Sequence, residues 1–197
     1  MKYGKIALLL LMCLALLLVP AAAEEKGAET GYIGIISAMD SEVQLLLVNA
    51  EIGRTEQIGG VDFHIGTLRG QNVVIAKAGI GKVLAASGTT AMLCSYPVSA
   101  VIFTGVAGGV GDETQVLDMV IAERLVQHDY GAWNQDGFEW TVPTGQETGY
   151  YDCDAELVNT ACAAAKEIAG EEHTFRGLIA TGDQFVASEA YVKKLQE

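Results

Sequence analysis

The sequence predicts a single α/β domain, on the basis of its length, its composition and its alternation of short strands with helices. The chain has 197 residues, which is the usual size of one domain. Half of the residues are hydrophobic and 19% are charged, so the chain can bury a sizeable core. It contains 23 Gly but only 3 Pro, and aromatic residues make up 7%. This composition favours tight strand-to-helix turns over Pro-rich linkers or an aromatic-rich β-sandwich.

The charge balance argues against a nucleic-acid partner. The chain carries 25 acidic and 12 basic residues, for a net charge of -13 at pH 7. Binding to a phosphate backbone requires clustered Lys and Arg side chains, which an acidic chain of this kind does not offer. The charge balance therefore disfavours nucleic-acid binding.

The first 23 residues have the pattern of a secretory signal peptide. Lys2 and Lys5 precede an apolar run of 14 residues, positions 6–19, and three Ala follow at 21–23. The run is shorter than the roughly 20 residues that span a bilayer, so an uncleaved anchor is the less favoured alternative. We expect cleavage after Ala23, a short linker over 24–30, a domain over 31–197, and an exported protein, periplasmic or extracellular, that meets the membrane only during export.

Three cysteines follow the predicted leader, namely Cys94, Cys153 and Cys162. No Cys-x-x-Cys or Cys/His spacing accompanies them, so the sequence predicts no metal site. Two interpretations stay open: the cysteines are buried as small apolar side chains, or Cys153 and Cys162 form a disulfide, which an exported protein can keep.

The first half of the domain predicts a strand, a helix and a hairpin. Residues 31–37 form a β-branched run, after which the apolar residues take a helical period. Ser37 and Asp40 resemble a capping box, which would start the helix there. Apolar residues then alternate over 61–65, and the polar turn 69–72 leads into a second apolar run over 73–78, a pattern typical of paired strands.

The second half alternates helices, strands and one long polar segment. Apolar periodicity predicts a helix over 82–95, strands over 98–104, 116–122 and 174–181, and a last helix that begins at Ser188. Asp154 is expected to cap a helix that ends at Gly170. Residues 126–148 are polar and contain both Trp, and we interpret them as a long loop that serves a site.

Three Gly-rich turns, residues 78–82, 105–111 and 182–185, each follow a predicted strand. In an open α/β sheet such turns line the ligand crevice, although Gly also permits plain tight packing. None of the three has the P-loop or the G-x-G-x-x-G pattern.

Glu42 stands one turn into the first predicted helix, beside the end of a buried strand. A carboxylate there either activates a water molecule in the crevice or is simply stabilised by the positive end of the helix dipole. The residues alone leave both interpretations open. The pair His128 and Asp129 suggests a metal ligand or a general base. A hydrogen-bonded pair at a strand end is the favoured interpretation, because no partner stands at ligand spacing.

Four segments occur in an order that resembles one known family: IGIISAMDSEV at 33–43, AGIGKV at 78–83, TGVAGG at 104–109 and RGLIATGDQF at 176–185. The chain resembles the 5'-methylthioadenosine/S-adenosylhomocysteine nucleosidases of the purine nucleoside phosphorylase superfamily. The resemblance implies a mixed central sheet flanked by helices and a homodimer. It also implies hydrolysis of an adenine nucleoside to release adenine, with no cofactor and no metal.

The resemblance also implies roles for particular residues. Glu42 matches the base that activates water. Ile80 matches an apolar contact to the 5'-alkylthio group, and Phe185 and Val186 match the adenine site. The remaining substrate-binding positions are Met39 and, near the ribose, Val106, Ala107 and Gly108.

One departure concerns the C-terminal part of the family pattern. The Met-Glu segment that grips the ribose and the Ser-Asp segment whose Asp protonates adenine have no counterpart in the 197 residues. The sequence is therefore expected to be the N-terminal portion of such a protein, and to catalyse poorly by itself. Two alternatives stay open, a phosphorolytic relative and a non-catalytic nucleoside-binding protein.

Overall fold

The computed structural model describes residues 31–196, so the predicted signal peptide and linker lie outside the described residues. The first half of the domain consists of β1 (Tyr32–Ser37), α1 (Asp40–Asn49), β2 (Glu51–Ile58), β3 (Val61–Leu68), β4 (Gln71–Lys77), α2 (Lys82–Ser95) and β5 (Val98–Phe103). The second half consists of β6 (Met119–Gln127), β7 (Gly131–Asn134), β8 (Gly137–Trp140), β9 (Tyr150–Asp152), α3 (Ala155–Ala169), a 3₁₀ turn (Glu171–His173), β10 (Thr174–Thr181) and α4 (Glu189–Gln196).

These elements confirm the predicted α/β class. A five-stranded mixed sheet has the strand order β2-β3-β4-β1-β5. Strand β1 runs parallel to both β4 and β5, whereas β2, β3 and β4 form an antiparallel meander that includes the predicted hairpin. Within residues 31–196, no helix combines the length and the apolar composition that crossing a membrane requires.

Both faces of the five-stranded sheet are covered, which is why β1 and β4 are apolar almost throughout. On one face Ile36, Phe63 and Val74 pack with Met92 of α2. A Cβ on Gly34 would lie 2.5 Å from the Met92 sulfur, so this glycine lets α2 approach β1 closely. On the other face Ile35, Val73 and Ile75 pack with Val43 of α1, and Leu46 and Leu47 lie at the edge of this cluster, as their helical spacing predicts.

A second sheet has the order β10-β6-β9, and helix α3 packs against it through Val158, Cys162 and Ala165. The predicted start of α3 is confirmed, because one carboxylate oxygen of Asp154 accepts the amides of Glu156 and Leu157 at 3.0 and 2.9 Å. Cys94, Cys153 and Cys162 are free, so the disulfide alternative is wrong. The expected burial is confirmed for Cys162, holds in part for the half-buried Cys153 and is wrong for the exposed Cys94.

Three local predictions are corrected. Strand β6 begins at Met119 rather than at 116, because Leu117 has a positive φ of 82° and interrupts the extended backbone. The segment 126–148 is not a plain loop: it completes β6 and then forms the β7-β8 hairpin, in which Trp133 packs on Phe138. Ser37 does not cap α1, because it is still part of the β1 ladder and fully buried.

Tyr96 ties the end of α2 to the outer strand β2. It is 6% exposed, its ring packs against Phe63, and its hydroxyl donates to Glu56 Oε2 at 2.8 Å. Burial of the phenol, together with this hydrogen bond, raises the pKa of Tyr96 to about 12 from an ordinary 10.0. The neutral phenol is therefore the form that the fold stabilises.

We expect an alkaline loss of stability that depends on this tyrosine. The folded state keeps its proton above the pKa of the unfolded state, so the contribution is complete below pH 10 and is lost as the pH rises toward about 12. Guanidinium unfolding of the wild type and of Tyr96→Phe at a series of pH values checks this. The free energy of unfolding should fall more steeply with pH in the wild type, and equal slopes would contradict the assignment.

Candidate active site

The carboxyl ends of three strands meet at one edge of the five-stranded sheet. The amide of Ala78, just after β4, donates to the Ser37 carbonyl of β1 at 2.9 Å. On the other side, the amide of Thr104, just after β5, donates to the Ile36 carbonyl at 3.0 Å. The parallel register thus brings the turns that follow β1, β4 and β5 side by side, which is where open α/β sheets form ligand crevices.

Glu42 occupies the middle of this edge, held by backbone amides from two of the turns. Its Oε2 accepts the amides of Ala38 at 2.9 Å and Met39 at 2.8 Å. Its Oε1 accepts the amide of Val106 at 2.9 Å. Met39 is the residue that precedes α1, so Glu42 itself caps the helix start that the sequence analysis assigned to Ser37. Three fixed donors hold the carboxylate in one orientation.

Gly105 makes this approach possible. A Cβ at position 105 would lie 2.7 Å from Glu42 Oε1, which is closer than real Cβ atoms come to an oxygen. The glycine in the second Gly-rich turn therefore serves the carboxylate as well as the turn.

A second group of contacts joins the other two Gly-rich turns. The amide of Lys82, the first residue of α2, donates to Asp183 Oδ1 at 2.8 Å. The residue before α2 is Gly81, with a φ of 105° and no side chain to cap the helix, so Asp183 supplies the missing acceptor from a distant part of the chain. This bond links the turn that carries Ile80 to the turn that carries Phe185.

Lys82 also forms an ion pair with Asp129, in which the Lys82 Nζ donates a hydrogen bond to Asp129 Oδ1 at 2.6 Å. Burial, the largest single influence, lowers the pKa of Lys82, but the carboxylates of Asp129 and Asp183 together outweigh it, and the pKa lies above its ordinary value. Burial likewise raises the pKa of Asp129, and the bonds from Lys82 and from the Asp183 amide outweigh it, so this pKa is lowered. Both residues are therefore charged at neutral pH.

The predicted binding residues lie on these turns, and most of their side chains are open to solvent. Ile80 is 72%, Val106 78% and Phe185 96% exposed. Ala107 and Gly108 are exposed as well, whereas Met39 and Val186 are half-buried.

Met39 and Val106 contact Glu42 through their amides. Within residues 31–196, no hydrogen bond joins Glu42 to Phe185 or Val186, so the structure brings only part of the predicted set into direct contact.

The favoured interpretation of His128 and Asp129 is corrected, because the two residues have separate partners. Asp129 binds Lys82, whereas His128 Nδ1 faces the Tyr191 hydroxyl at 3.4 Å. In the part of the chain that the structure describes, no three His, Cys, Asp or Glu side chains are grouped to hold a metal ion.

Sequence reasoning missed the contacts of Lys82 and Asp183. Lys82 lies in the Gly-rich turn 78–82 and Asp183 in the Gly-rich turn 182–185, and their opposite charges are the signal in the sequence that indicates a pairing.

We expect Gly105→Ala to push the Glu42 carboxylate away from the Val106 amide. That amide would lose its acceptor, and its hydrogen exchange, followed by NMR, should become faster. Gly111→Ala is the matched control, because a Cβ at position 111 meets nothing within 4 Å in the same loop. Unchanged exchange of the Val106 amide in Gly105→Ala would contradict this account of the glycine.

Comparison with known proteins agrees with the geometry. Residues 32–197 match the family model described as the phosphorylase superfamily. The chain is 43% identical over 166 residues to a 5'-methylthioadenosine/S-adenosylhomocysteine nucleosidase of Chromohalobacter salexigens, which covers 84% of this chain and 69% of that protein. It is 36% identical over 165 residues to the enzyme of the same name from Shewanella piezotolerans, covering 84% and 70%.

Solved structures give the same result. The S-adenosylhomocysteine nucleosidase of Streptococcus pyogenes, in complex with 5-methylthiotubericidin, superposes with a TM-score of 0.77 at 32% identity, over 86% of this chain and 70% of that one. The 5'-methylthioadenosine/S-adenosylhomocysteine nucleosidase of Neisseria meningitidis, in complex with methylthio-immucillin-A, gives 0.76 at 32% identity, over 84% and 71%. With four ordered motifs, a matching fold and these identities, this chain belongs to the 5'-methylthioadenosine/S-adenosylhomocysteine nucleosidase family of the phosphorylase superfamily.

Proposed function

We propose that the protein hydrolyses the N-glycosidic bond of 5'-methylthioadenosine or S-adenosylhomocysteine type nucleosides and releases adenine. The observation that carries this proposal is the Glu42 carboxylate, which backbone amides from the turns after β1 and β5 fix at the carboxyl edge of the sheet. The relatives named above are nucleosidases for these substrates, and two solved relatives hold nucleoside analogues.

The chemistry explains why one carboxylate has to be held so firmly. As adenine leaves, the ribose develops oxocarbenium character, and a water molecule must lose a proton while it attacks the anomeric carbon. A carboxylate positioned beside that water removes the proton. Reaction through a fixed base is favoured because no reorientation is needed at the moment of attack.

The hydrogen-bond pattern also indicates which oxygen is the base. A carboxylate oxygen has about two acceptor sites. Oε2 already accepts two amides, from Ala38 and Met39, whereas Oε1 accepts only the amide of Val106. We therefore assign proton acceptance to Oε1, the oxygen beside Gly105.

The exposed apolar side chains at this edge suit the rest of the nucleoside. Phe185 offers a free aromatic face for the purine, and the Val186 backbone lies next to it to read the base edge. Ile80 offers an apolar contact for the 5'-alkylthio group, while Met39 and the loop Val106, Ala107 and Gly108 lie on the ribose side. The group that protonates adenine is, by resemblance, an Asp in a Ser-Asp segment, and residues 31–196 contain no such pair.

We expect Glu42→Gln to lower the rate of adenine release by about 10²- to 10⁴-fold, the usual contribution of a general base. The rate is measured from free adenine formed by the protein expressed from its own gene, with 5'-methylthioadenosine as substrate. Glu167→Gln, on the exposed side of α3, is the matched carboxylate control and should leave the rate unchanged. Full activity of Glu42→Gln at an unchanged melting temperature would overturn the assignment.

The products distinguish the proposal from its two alternatives. Free adenine formed without phosphate supports hydrolysis. A requirement for phosphate, with ribose phosphate as the second product, would instead identify a phosphorylase. Nucleoside binding without turnover would identify a binding protein and overturn the proposed activity.

We also propose that the protein is exported, a proposal supported by the two lysines, the apolar run and the three alanines of the leader sequence. N-terminal sequencing of the protein recovered from the periplasm or the medium should start at Glu24. Protein that is found only in the cytoplasm, with Met1 retained, would contradict export. The homodimer that the resemblance implies stays a prediction, which sedimentation of the purified protein can test.

A further inference from the structure

We propose that Lys82 and Asp129 are positioning residues that hold the adenine-binding segment, residues 182–186, in place over the site. This inference rests on the proposed function, because it concerns the segment that carries Phe185 and Val186. We assign neither side chain a contact with the nucleoside. Both are placed to hold the segment that does.

The contacts form a closed ring of three residues from three parts of the chain. Lys82 Nζ binds Asp129 Oδ1 at 2.6 Å, and the other oxygen of Asp129 accepts the Asp183 amide at 2.8 Å. The ring closes where the Lys82 amide donates to Asp183 Oδ1 at 2.8 Å. Lys82 Nζ also lies 3.7 Å from Asp183 Oδ2. Asp183 is thus held through both its backbone and its side chain.

The ion pair within this ring is shielded from solvent. The side chains of Lys82 and Asp129 are 23% and 12% exposed. The pair Lys166 and Glu171 has the same length of 2.6 Å, but its side chains are 44% and 81% exposed. Salt and water weaken an exposed pair of this kind, so it contributes little, whereas a shielded pair keeps more of its strength.

His128 holds the same segment from both flanks. The amide of His128 donates to the Thr181 carbonyl at 3.0 Å, just before the segment begins. Its ring packs edge-on against Tyr191 of α4, the helix that follows the segment, with ring centroids 6.0 Å apart. A Cβ on Gly182 would collide with the His128 imidazole, so the chain passes directly against this residue.

Phe185 needs such anchors because its own packing does not hold it. Its side chain is 96% exposed, so little apolar contact fixes the ring. The position of the ring then depends on the residues that hold its flanks. Loss of the ion pair should therefore weaken the binding of the adenine moiety first, and affect the chemistry at Glu42 less.

The test compares Asp129→Asn and Lys82→Met with the wild type in adenine binding and in turnover of 5'-methylthioadenosine. We expect the Kd of free adenine and the KM to rise about tenfold in both variants, with a smaller change in kcat, as for loss of one charged hydrogen bond. Lys82→Arg retains the charge and the backbone amide, so it should restore most of the affinity. Lys166→Met removes an exposed ion pair of equal length and should change neither constant.

The outcomes separate this inference from the proposed function. A wild type that releases adenine, with an unchanged adenine Kd in Asp129→Asn and Lys82→Met, overturns the positioning role alone. A wild type that neither binds nor releases adenine overturns both. Hydrogen exchange at the Asp183 amide gives a second readout, which depends neither on enzyme activity nor on the folding of Lys82→Met. Exchange of this amide should become faster in Asp129→Ala, and unchanged exchange would contradict the ring.

Discussion

The structure of the site depends on one constraint, the hydrogen bonding of the Glu42 carboxylate to three backbone amides. Two of these amides follow β1 and the third follows β5, so the carboxylate can be satisfied only if the two parallel strands keep their register. Gly105 is needed because any side chain there would occupy the space of the carboxylate oxygen. The Glu42 side chain thus connects the start of α1, the pairing of β1 with β5 and the glycine turn at Gly105.

Features with a local cause could be predicted from the sequence. The bounds of α2 follow from a continuous helical period, and the start of α3 follows from Asp154, whose side chain bonds amides two and three residues away. The proximity of the Gly-rich turns after β4 and β5 was also predictable, since both strands run parallel to β1 and end at the same edge of one sheet. Each of these depends on residues that are neighbours in sequence or on a general rule of topology.

The features that were missed or wrong have long-range causes. Lys82 and Asp129 are 47 positions apart, and the Lys82 amide and Asp183 are 101 apart, so no local pattern records their pairing. The Ser37 cap was wrong because the ladder with β4 extends through Ser37, a tertiary effect that a capping pattern does not include. Asp129 bonds Lys82 rather than its neighbour His128, because α2 brings the Lys82 ammonium group close to the end of β6.

The two halves of the proposed site are held by different forces, and this difference has a chemical reason. Glu42, whose geometry must be kept for proton transfer, is fixed by three uncharged backbone amides of the turns that follow β1 and β5. The segment 182–186 is held instead by the ion pair of Lys82 and Asp129 and by the hydrogen bonds that these two residues make with Asp183. The proposed base is therefore held by uncharged donors, whereas the proposed purine-binding segment is held through an ion pair.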